Sequence, residues 1–184
     1  MKKLFFIPAV ATVMFLASCG GSDTTTATET PAATETPAAA PAADAPGSDI
    51  PGIADVAVTD HIELTGSDDM KYDKSLFKIK AGQEVKLTFK NVGKLPKEAM
   101  GHNVIILKEG TDVNAFALEA LKEKAKDYVP QSAEMQNDII AHTKLLGPGE
   151  SDTITFKITE PGVYTYICTF PGHHGTMHGQ IVVE

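Results

Sequence analysis

The sequence predicts an all-β domain, either a sandwich or a small barrel, with one α-helix inserted between strands. Short segments of alternating apolar residues recur along the chain, separated by turn residues such as Ala81-Gly82 and Pro161-Gly162. That pattern is typical of sandwiches and barrels. One longer segment instead carries apolar residues at helical spacing. The predicted strands cover residues 56–64, 75–80, 84–90, 103–108, 151–159, 163–169 and 180–184.

The third predicted strand, residues 84–90, shows the clearest alternation. Val85, Leu87 and Phe89 share one face, and two lysines and a threonine share the other, as expected of a strand with one buried face. The first and fifth predicted strands alternate in the same way, whereas residues 103–108 are mostly apolar. A continuous apolar segment of that length fits a strand buried on both faces.

The inserted helix is predicted near residues 112–126. Its apolar residues recur at helical spacing, with glutamates and lysines on the other face. Thr111 or Asp112 could cap its start, since short polar side chains favour that position. We expect the apolar face to pack on the sandwich; it consists of Val113, Phe116, Ala117, Ala120 and Leu121.

The N-terminus predicts a bacterial lipoprotein signal peptide over residues 1–18. Lys2 and Lys3 precede a mainly apolar segment, and Leu16-Ala17-Ser18-Cys19 resembles a lipobox. The resemblance implies cleavage before Cys19 and lipids on that cysteine. The apolar segment is short and interrupted for a membrane-spanning helix, which needs about 20 residues. An ordinary signal peptide with an incidental cysteine and an uncleaved anchor helix remain as alternatives.

Residues 19–54 predict a lipidated cysteine followed by a disordered tether. They consist mainly of Ala, Thr, Pro and Glu, and no basic residue lies between Lys3 and Lys71. Such a segment buries too little apolar surface to offset the entropy of ordering it. It serves either as a leash that lets an anchored domain reach partners or as a spacer of no particular length. The globular domain is predicted over residues 55–184.

Composition excludes several classes of function. The 184 residues carry a formal net charge of −8, and all 16 basic residues are lysines. Nucleic-acid binding is therefore disfavoured, because its affinity comes from clustered positive charge. Two cysteines are too few for a disulfide-rich scaffold or a zinc site of four thiolates.

A candidate metal site lies near the C-terminus. Cys168, His173 and Met177 offer a thiolate, an imidazole and a thioether within ten residues. Two histidines, one cysteine and a weak axial methionine define a mononuclear blue-copper electron-transfer site. The second histidine must come from another strand, and His102 is the best candidate. The other histidines are predicted to lie outside the site; they are His61, His142, His174 and His178.

The domain resembles the azurin-like blue-copper proteins of the cupredoxin family. The matching segments are Leu95-Pro96-Lys97, Met100-Gly101-His102-Asn103, Ile140-Ala141-His142-Thr143-Lys144-Leu145, Gly149-Glu150-Ser151-Asp152, Cys168 to His173, and Met177-His178-Gly179. This resemblance implies a Greek-key sandwich or barrel and one copper ion cycling between Cu(I) and Cu(II).

The resemblance also implies a role for each site residue. His102, Cys168 and His173 would be the strong ligands, Met177 the weak axial ligand, and the Gly101 carbonyl would approach opposite it. Asn103 and Phe170 would lie beside the ligands and support them. An exposed edge of His173 would pass electrons through an apolar partner patch formed by Leu95, Met100 and Pro171, with Phe170 also contributing.

These features predict a membrane-tethered electron carrier rather than an enzyme. We expect a monomer in the cell envelope, on the periplasmic or cell-surface side, meeting a c-type cytochrome or a copper oxidoreductase transiently. A copper-handling lipoprotein that scavenges or delivers copper is the alternative. An enzyme on this fold would generally need a second copper centre, for which the chain has few spare histidines.

Overall fold

A computed structural model describes residues 45–184. Within this range the chain forms nine strands and three short α-helices. The strands are β1 (His61–Ser67), β2 (Lys71–Tyr72), β3 (Leu76–Ile79), β4 (Glu84–Asn91), β5 (Ile105–Leu107), β6 (Ile139–His142), β7 (Ser151–Lys157), β8 (Gly162–Ile167) and β9 (His178–Val183). The helices are α1 (Lys97–Met100), α2 (Val113–Ala120) and α3 (Ala133–Asp138), and single 3-10 turns lie at Ile53–Asp55 and Lys124–Lys126.

The strands form two sheets, which confirms the all-β Greek-key prediction. One sheet has the order β2-β1-β4-β7 and the other the order β3-β9-β8-β5-β6. The pairs β1–β4 and β3–β9 are parallel, and the remaining pairs are antiparallel. Neighbouring strands in each sheet therefore come from distant parts of the chain.

The main core lies between the sheets and follows the alternation in the sequence. In β4, Val85, Leu87 and Phe89 are at most 1% exposed, while Lys86 and Lys90 face solvent. Residues of the other sheet, such as those of β8 and β9, complete the same cluster. The core therefore runs the length of the sandwich and reaches the residues of the candidate metal site.

The inserted helix is shorter than predicted. Asp112 caps α2, because its side chain accepts hydrogen bonds from the Asn114 and Ala115 backbone N–H groups at 3.0 Å. Phe116, Ala117 and Ala120 are buried, but the helix ends at Ala120 rather than near residue 126. The residues that follow, 122–126, include three lysines and no large apolar side chain. They offer no large apolar side chain to bury against the sheet, so the helix ends before them.

Some strands differ from the prediction. β1 begins at His61, because Val58 makes only an isolated bridge to Lys78. β2 and β6 were not predicted: β2 has two residues, too few to show a period, and β6 follows α3 directly. β5 covers only Ile105–Leu107.

Residues 45–54, called the strap below, pack against the domain rather than extending from it. Ile53 is 8% exposed, and Gly47 lies beside Ile50, Val182 and Val163. The predicted boundary at residue 55 therefore lies too late along the chain, because the apolar Ile50 and Ile53 interrupt the polar composition. The predicted signal peptide, Cys19 and the rest of the tether lie outside the described residues. Among the helices of residues 45–184, none has the length and apolar character needed to span a membrane.

Candidate metal centre

His102, Cys168 and His173 come together at one end of the sandwich. Their ligand atoms all lie within 4.8 Å of one another. The two histidine Nδ1 atoms are 3.2 Å apart, and the Cys168 Sγ lies 3.6 Å from the His173 Nδ1. His102 and Cys168 are fully buried, and His173 is 2% exposed. The structure thus joins a residue before β5 to two residues of the loop between β8 and β9.

The loop from Cys168 to Met177, called the ligand loop below, is folded back by its own hydrogen bonds. Gly172 has a φ of 83°, and the His173 N–H donates to the Phe170 carbonyl at 3.0 Å. Pro171-Gly172 therefore forms the centre of a tight turn that suits Pro followed by Gly. The Met177 N–H donates to the His173 carbonyl at 2.8 Å, and the Cys168 N–H donates to the Met177 carbonyl at 3.0 Å. These bonds keep Cys168, His173 and the fully buried Met177 close together.

A second segment positions His102. Its backbone exchanges hydrogen bonds with Leu146, at 3.1 Å from the His102 N–H and 2.7 Å to the His102 carbonyl. Gly101 lies just after α1, where an added Cβ would approach the Lys97 carbonyl oxygen to 2.7 Å and Leu145 to 3.0 Å. Only glycine fits this approach, so the sequence Gly101-His102 brings the imidazole close to the helix end and into the core.

Asn103 ties the two segments together. Its Oδ1 accepts the Thr169 N–H at 2.9 Å, and its Nδ2 donates to the Thr169 Oγ1 at 2.8 Å. Nδ2 also donates to the Asp127 carbonyl at 3.0 Å, and the Thr169 hydroxyl donates to the Tyr128 carbonyl at 2.8 Å. Each of these groups is paired in the interior, as buried polar groups must be to avoid a desolvation penalty.

Burial controls the ionisation of the donor groups. Burial, and then the neighbouring His102, lower the pKa of His173 to about 4. Burial also lowers the pKa of His102, opposed by the Ser67 backbone and the Asp68 charge. Burial raises the pKa of the Cys168 thiol to about 12, although hydrogen bonds from the Asn103 and Phe170 backbones act in the opposite direction. The protein thus holds two neutral imidazoles beside a thiol.

These donors fit a copper ion. Two neutral imidazole nitrogens face one another with a thiol beside them, a soft and borderline set that suits both oxidation states of copper. A bound ion would take the place of the thiol proton, since cysteine ligates as the thiolate. Among residues 45–184, the Nε2 atom of His102 is buried and has no hydrogen-bond partner. The Ser67 backbone acts to raise the pKa of the His102 ring, against the effect of burial.

Little of the predicted exposed edge of His173 reaches solvent. His173 is only 2% exposed, because the Phe170 ring lies with its centroid 4.7 Å away and the His102 ring lies at 5.0 Å. Phe170 itself is 7% exposed, so it contributes little to an exposed patch. Leu95 and Pro171 are exposed and Met100 is half-buried. Pro171 lies two positions before His173, and Met100 lies two positions before His102.

The other histidines stay outside the cluster of three. His61, His142 and His178 are exposed, and His174 is half-buried. The His178 Nδ1 lies 3.0 Å from the His174 carbonyl oxygen, which stabilises the start of β9. Among residues 45–184, His102, Cys168 and His173 form the only group of three such side chains close enough to share an ion.

Sequence reasoning missed two residues that contact the site. Gly66, in β1, lies where an added Cβ would meet the Met177 Cε at 2.6 Å and the His102 Cδ2 at 3.3 Å. Tyr72, in β2, donates its hydroxyl to the Asn103 carbonyl at 2.6 Å. A glycine that interrupts the alternating pattern of β1 was the one signal for the first contact. The sequence carried no signal for the second.

Comparison with known proteins gives a consistent result. A profile of copper-binding proteins of the plastocyanin/azurin family matches residues 59–184. Azurin from Alcaligenes faecalis is 39% identical over 125 residues, covering 65% of this chain and 94% of that protein. Azurin from Bordetella pertussis is 32% identical over 124 residues, covering 65% of this chain and 81% of that protein.

Solved structures of blue-copper proteins share the fold. Dithionite-reduced auracyanin from the photosynthetic bacterium Roseiflexus castenholzii is 37% identical with a TM-score of 0.62, covering 70% of this chain and 99% of that one. Auracyanin A, a "blue" copper protein from Chloroflexus aurantiacus, is 32% identical with a TM-score of 0.60, covering 70% of this chain and 100% of that one.

Proposed function

Because the chain belongs to the plastocyanin/azurin family of copper-binding proteins, we propose that it is a membrane-tethered carrier of single electrons. His102, Cys168 and His173 would hold one copper ion, with Met177 as a weaker ligand and the Gly101 carbonyl as a further contact. Copper bound there supplies a one-electron couple between Cu(I) and Cu(II). The lipid on Cys19 and the segment before the strap would keep the carrier at a membrane surface.

The near-complete burial of the donor set carries this proposal. His102 and Cys168 expose no surface, and His173 exposes 2%. A substrate molecule has no open route to the donors, which disfavours catalysis on a bound molecule. A copper-delivery protein would need accessible donors that exchange the ion with a partner, so the same burial favours an electron carrier over copper handling.

The hydrogen bonds around the donors suit rapid electron exchange. Asn103 and Thr169 hold the two ligand-bearing segments at fixed spacing, and Leu146 fixes the His102 backbone on the other side. A site that is held this way changes its geometry little between oxidation states. Partners around the ligands in general orient them and tune the metal.

Electrons would leave near the turn of the ligand loop. His173 itself is covered, but Pro171 and Gly172, directly before it, are exposed. Together with Leu95 and the half-buried Met100, they offer a small apolar surface. Redox encounters are typically small and weak. We therefore expect a transient partner, such as a c-type cytochrome or a copper oxidoreductase, at this surface.

The two cysteines of the chain provide the test. We expect Cys168→Ser to abolish the intense blue colour of the copper-loaded protein and its reversible one-electron titration under anaerobic conditions. Cys19→Ser should keep both and release the protein from the membrane fraction. Blue colour retained in Cys168→Ser would show that the ligand assignment is wrong. A membrane-bound Cys19→Ser variant would contradict the lipid anchor alone.

A further inference from the structure

Tyr72 makes an unusual connection between the two sheets. It lies in β2 at the edge of one sheet, opposite Gly66 in the pairing of β2 with β1. Its hydroxyl donates to the Asn103 carbonyl at 2.6 Å, and Asn103 leads into β5 of the other sheet. The hydrogen bond therefore reaches from the edge of one sheet to the backbone residue that follows His102.

Asn103 is the residue on which the ligand loop depends. Its amide side chain bonds to both the backbone and the hydroxyl of Thr169, the neighbour of Cys168. The Asn103 backbone also acts to lower the pKa of the Cys168 thiol, against the effect of burial. A shift of the Asn103 backbone would therefore move Thr169 and change the surroundings of the neighbouring Cys168 sulfur.

The ring of Tyr72 is held so that its hydroxyl keeps this direction. Its centroid lies 5.7 Å from that of Phe89, nearly edge to face, and 5.3 Å from that of Tyr166. Such aromatic pairs stabilise beyond the area that they bury. Desolvation, and then Cys168 and Tyr166, raise the pKa of the Tyr72 hydroxyl well above its usual value. The hydroxyl thus remains a proton donor to Asn103.

We propose that Tyr72 is a positioning residue for the copper site, whose hydroxyl holds the Asn103 backbone in place to donate to the Cys168 sulfur. A hydrogen bond to the sulfur stabilises the reduced site, where the sulfur carries more negative charge, and so raises the reduction potential. Loss of the Tyr72 hydroxyl loosens Asn103 and lowers that potential. The inference rests on the proposed copper site.

Tyr166 offers a matched control. It belongs to the same core cluster as Tyr72 and its ring packs directly on that of Tyr72. Its hydroxyl also donates to a backbone carbonyl, that of Lys74, at 2.7 Å. Tyr166→Phe thus removes the same kind of hydrogen bond from the same cluster without touching Asn103.

The experiment compares Tyr72→Phe with Tyr166→Phe in two states of the protein. In the copper-loaded protein, Tyr72→Phe should shift the one-electron equilibrium toward the oxidised form by about threefold to tenfold, where tenfold corresponds to about 59 mV. Tyr166→Phe should leave the potential within a twofold change. An unchanged or raised potential in Tyr72→Phe, or an equal shift in both variants, would overturn the proposal.

The copper-free protein gives a readout that does not depend on the metal. Tyr72→Phe should accelerate hydrogen exchange of the Thr169 amide, which donates to Asn103, several-fold more than Tyr166→Phe does. Equal exchange at Thr169 in the two variants would overturn the positioning role. A wild-type protein that fails to turn blue would contradict the proposed function instead, and the exchange comparison would still decide whether Tyr72 holds Asn103.

Discussion

The two ends of the sandwich are built from different interactions. The copper end contains the ligand loop and every buried polar residue found in the described part of the chain: Asn91, His102, Asn103, Thr143, Thr169 and His173. The strap end is closed by apolar side chains, among them Ile53, Ile79 and Val183. The same fold thus specifies one end by hydrogen bonds and the other by apolar burial.

This difference shows where the protein accepts the cost of burying polar groups. Burial of an unpaired polar group is costly, yet most of these side chains find partners, the His102 Nε2 being the exception. The Thr143 hydroxyl accepts the Val104 N–H at 3.0 Å, and the Asn91 Nδ2 donates to the Leu146 carbonyl at 3.0 Å. Directional bonds fix the position of the ligand-bearing segments, which apolar contacts alone would leave less precisely set.

The largest expected effect is that of Gly66→Ala at the copper end. The new Cβ would lie 2.6 Å from the Met177 Cε, 3.0 Å from the Phe89 ring and 3.3 Å from the His102 ring. We expect a displaced Met177, a changed visible spectrum of the copper-loaded protein, and a loss of about 3 kcal/mol in the free energy of unfolding, at the upper end of the range for overpacking. Visible absorption measures the change in the spectrum, and denaturant unfolding measures the loss of stability.

Gly175→Ala is the control for Gly66→Ala. Gly175 lies in the ligand loop, two positions before Met177, but an added Cβ there would meet nothing within 4 Å. The visible spectrum and the stability of the copper-loaded Gly175→Ala variant should remain those of the wild type. If Gly175→Ala changes the spectrum more than Gly66→Ala does, contact of the new Cβ with Met177 is not the cause of the spectral change.

At the strap end, Ile53→Ala should affect stability alone. Ile53 is 8% exposed at the edge of the core, so its truncation should cost about 2 kcal/mol, the lower end for such changes. The copper spectrum should be unchanged. Val58→Ala, at a residue that is 46% exposed, should cost much less. Equal losses in the two variants would mean that the strap is not packed on the domain.

The smallest effect is expected for Asp73→Asn, at the surface beside Tyr72. Burial acts to raise the pKa of Asp73, but the Lys74 side chain and the Thr65 backbone outweigh it, and the pKa is lowered from 3.8. A lowered pKa stabilises the folded state above pH 3.8 and stops doing so as the pH falls through the folded value. The variant should lose less than about 1 kcal/mol at pH 7. Denaturant unfolding should show the difference from the wild type shrinking as the pH falls below 3.8; a difference that does not shrink would exclude this charge as its cause.

The sequence predicted most of the metal centre because its signal is local. Cys168 and His173 are five residues apart and belong to one turn, so residue types and spacing sufficed to predict them. His102 lies 66 residues before Cys168. It was predicted as the second histidine because it lies just before an apolar segment, and the family resemblance then implied the same role. The clear alternation of β4 likewise predicted which of its faces is buried.

Contacts between distant segments could not be predicted in this way. Tyr72 and Asn103 are 31 residues apart, and Gly66 and Met177 are 111 apart. Neither pair shares a motif, and β2 is too short to show a period. The burial of His173 depends on the ring of Phe170, whose orientation no spacing encodes. The order of the strap depends on Ile50 and Ile53 finding an apolar surface that only the folded sheets provide.

The position of the strap has a geometric consequence for the surface beside the candidate copper site. Gly47 lies beside Val163 and Val182, near the start of β8 and the end of β9, whereas Cys168 follows the other end of β8. Five residues of extended chain separate Val163 from Cys168, or about 17 Å. The strap and the candidate copper site thus lie at opposite ends of the sandwich, so the strap leaves the exposed Pro171 and Gly172 uncovered.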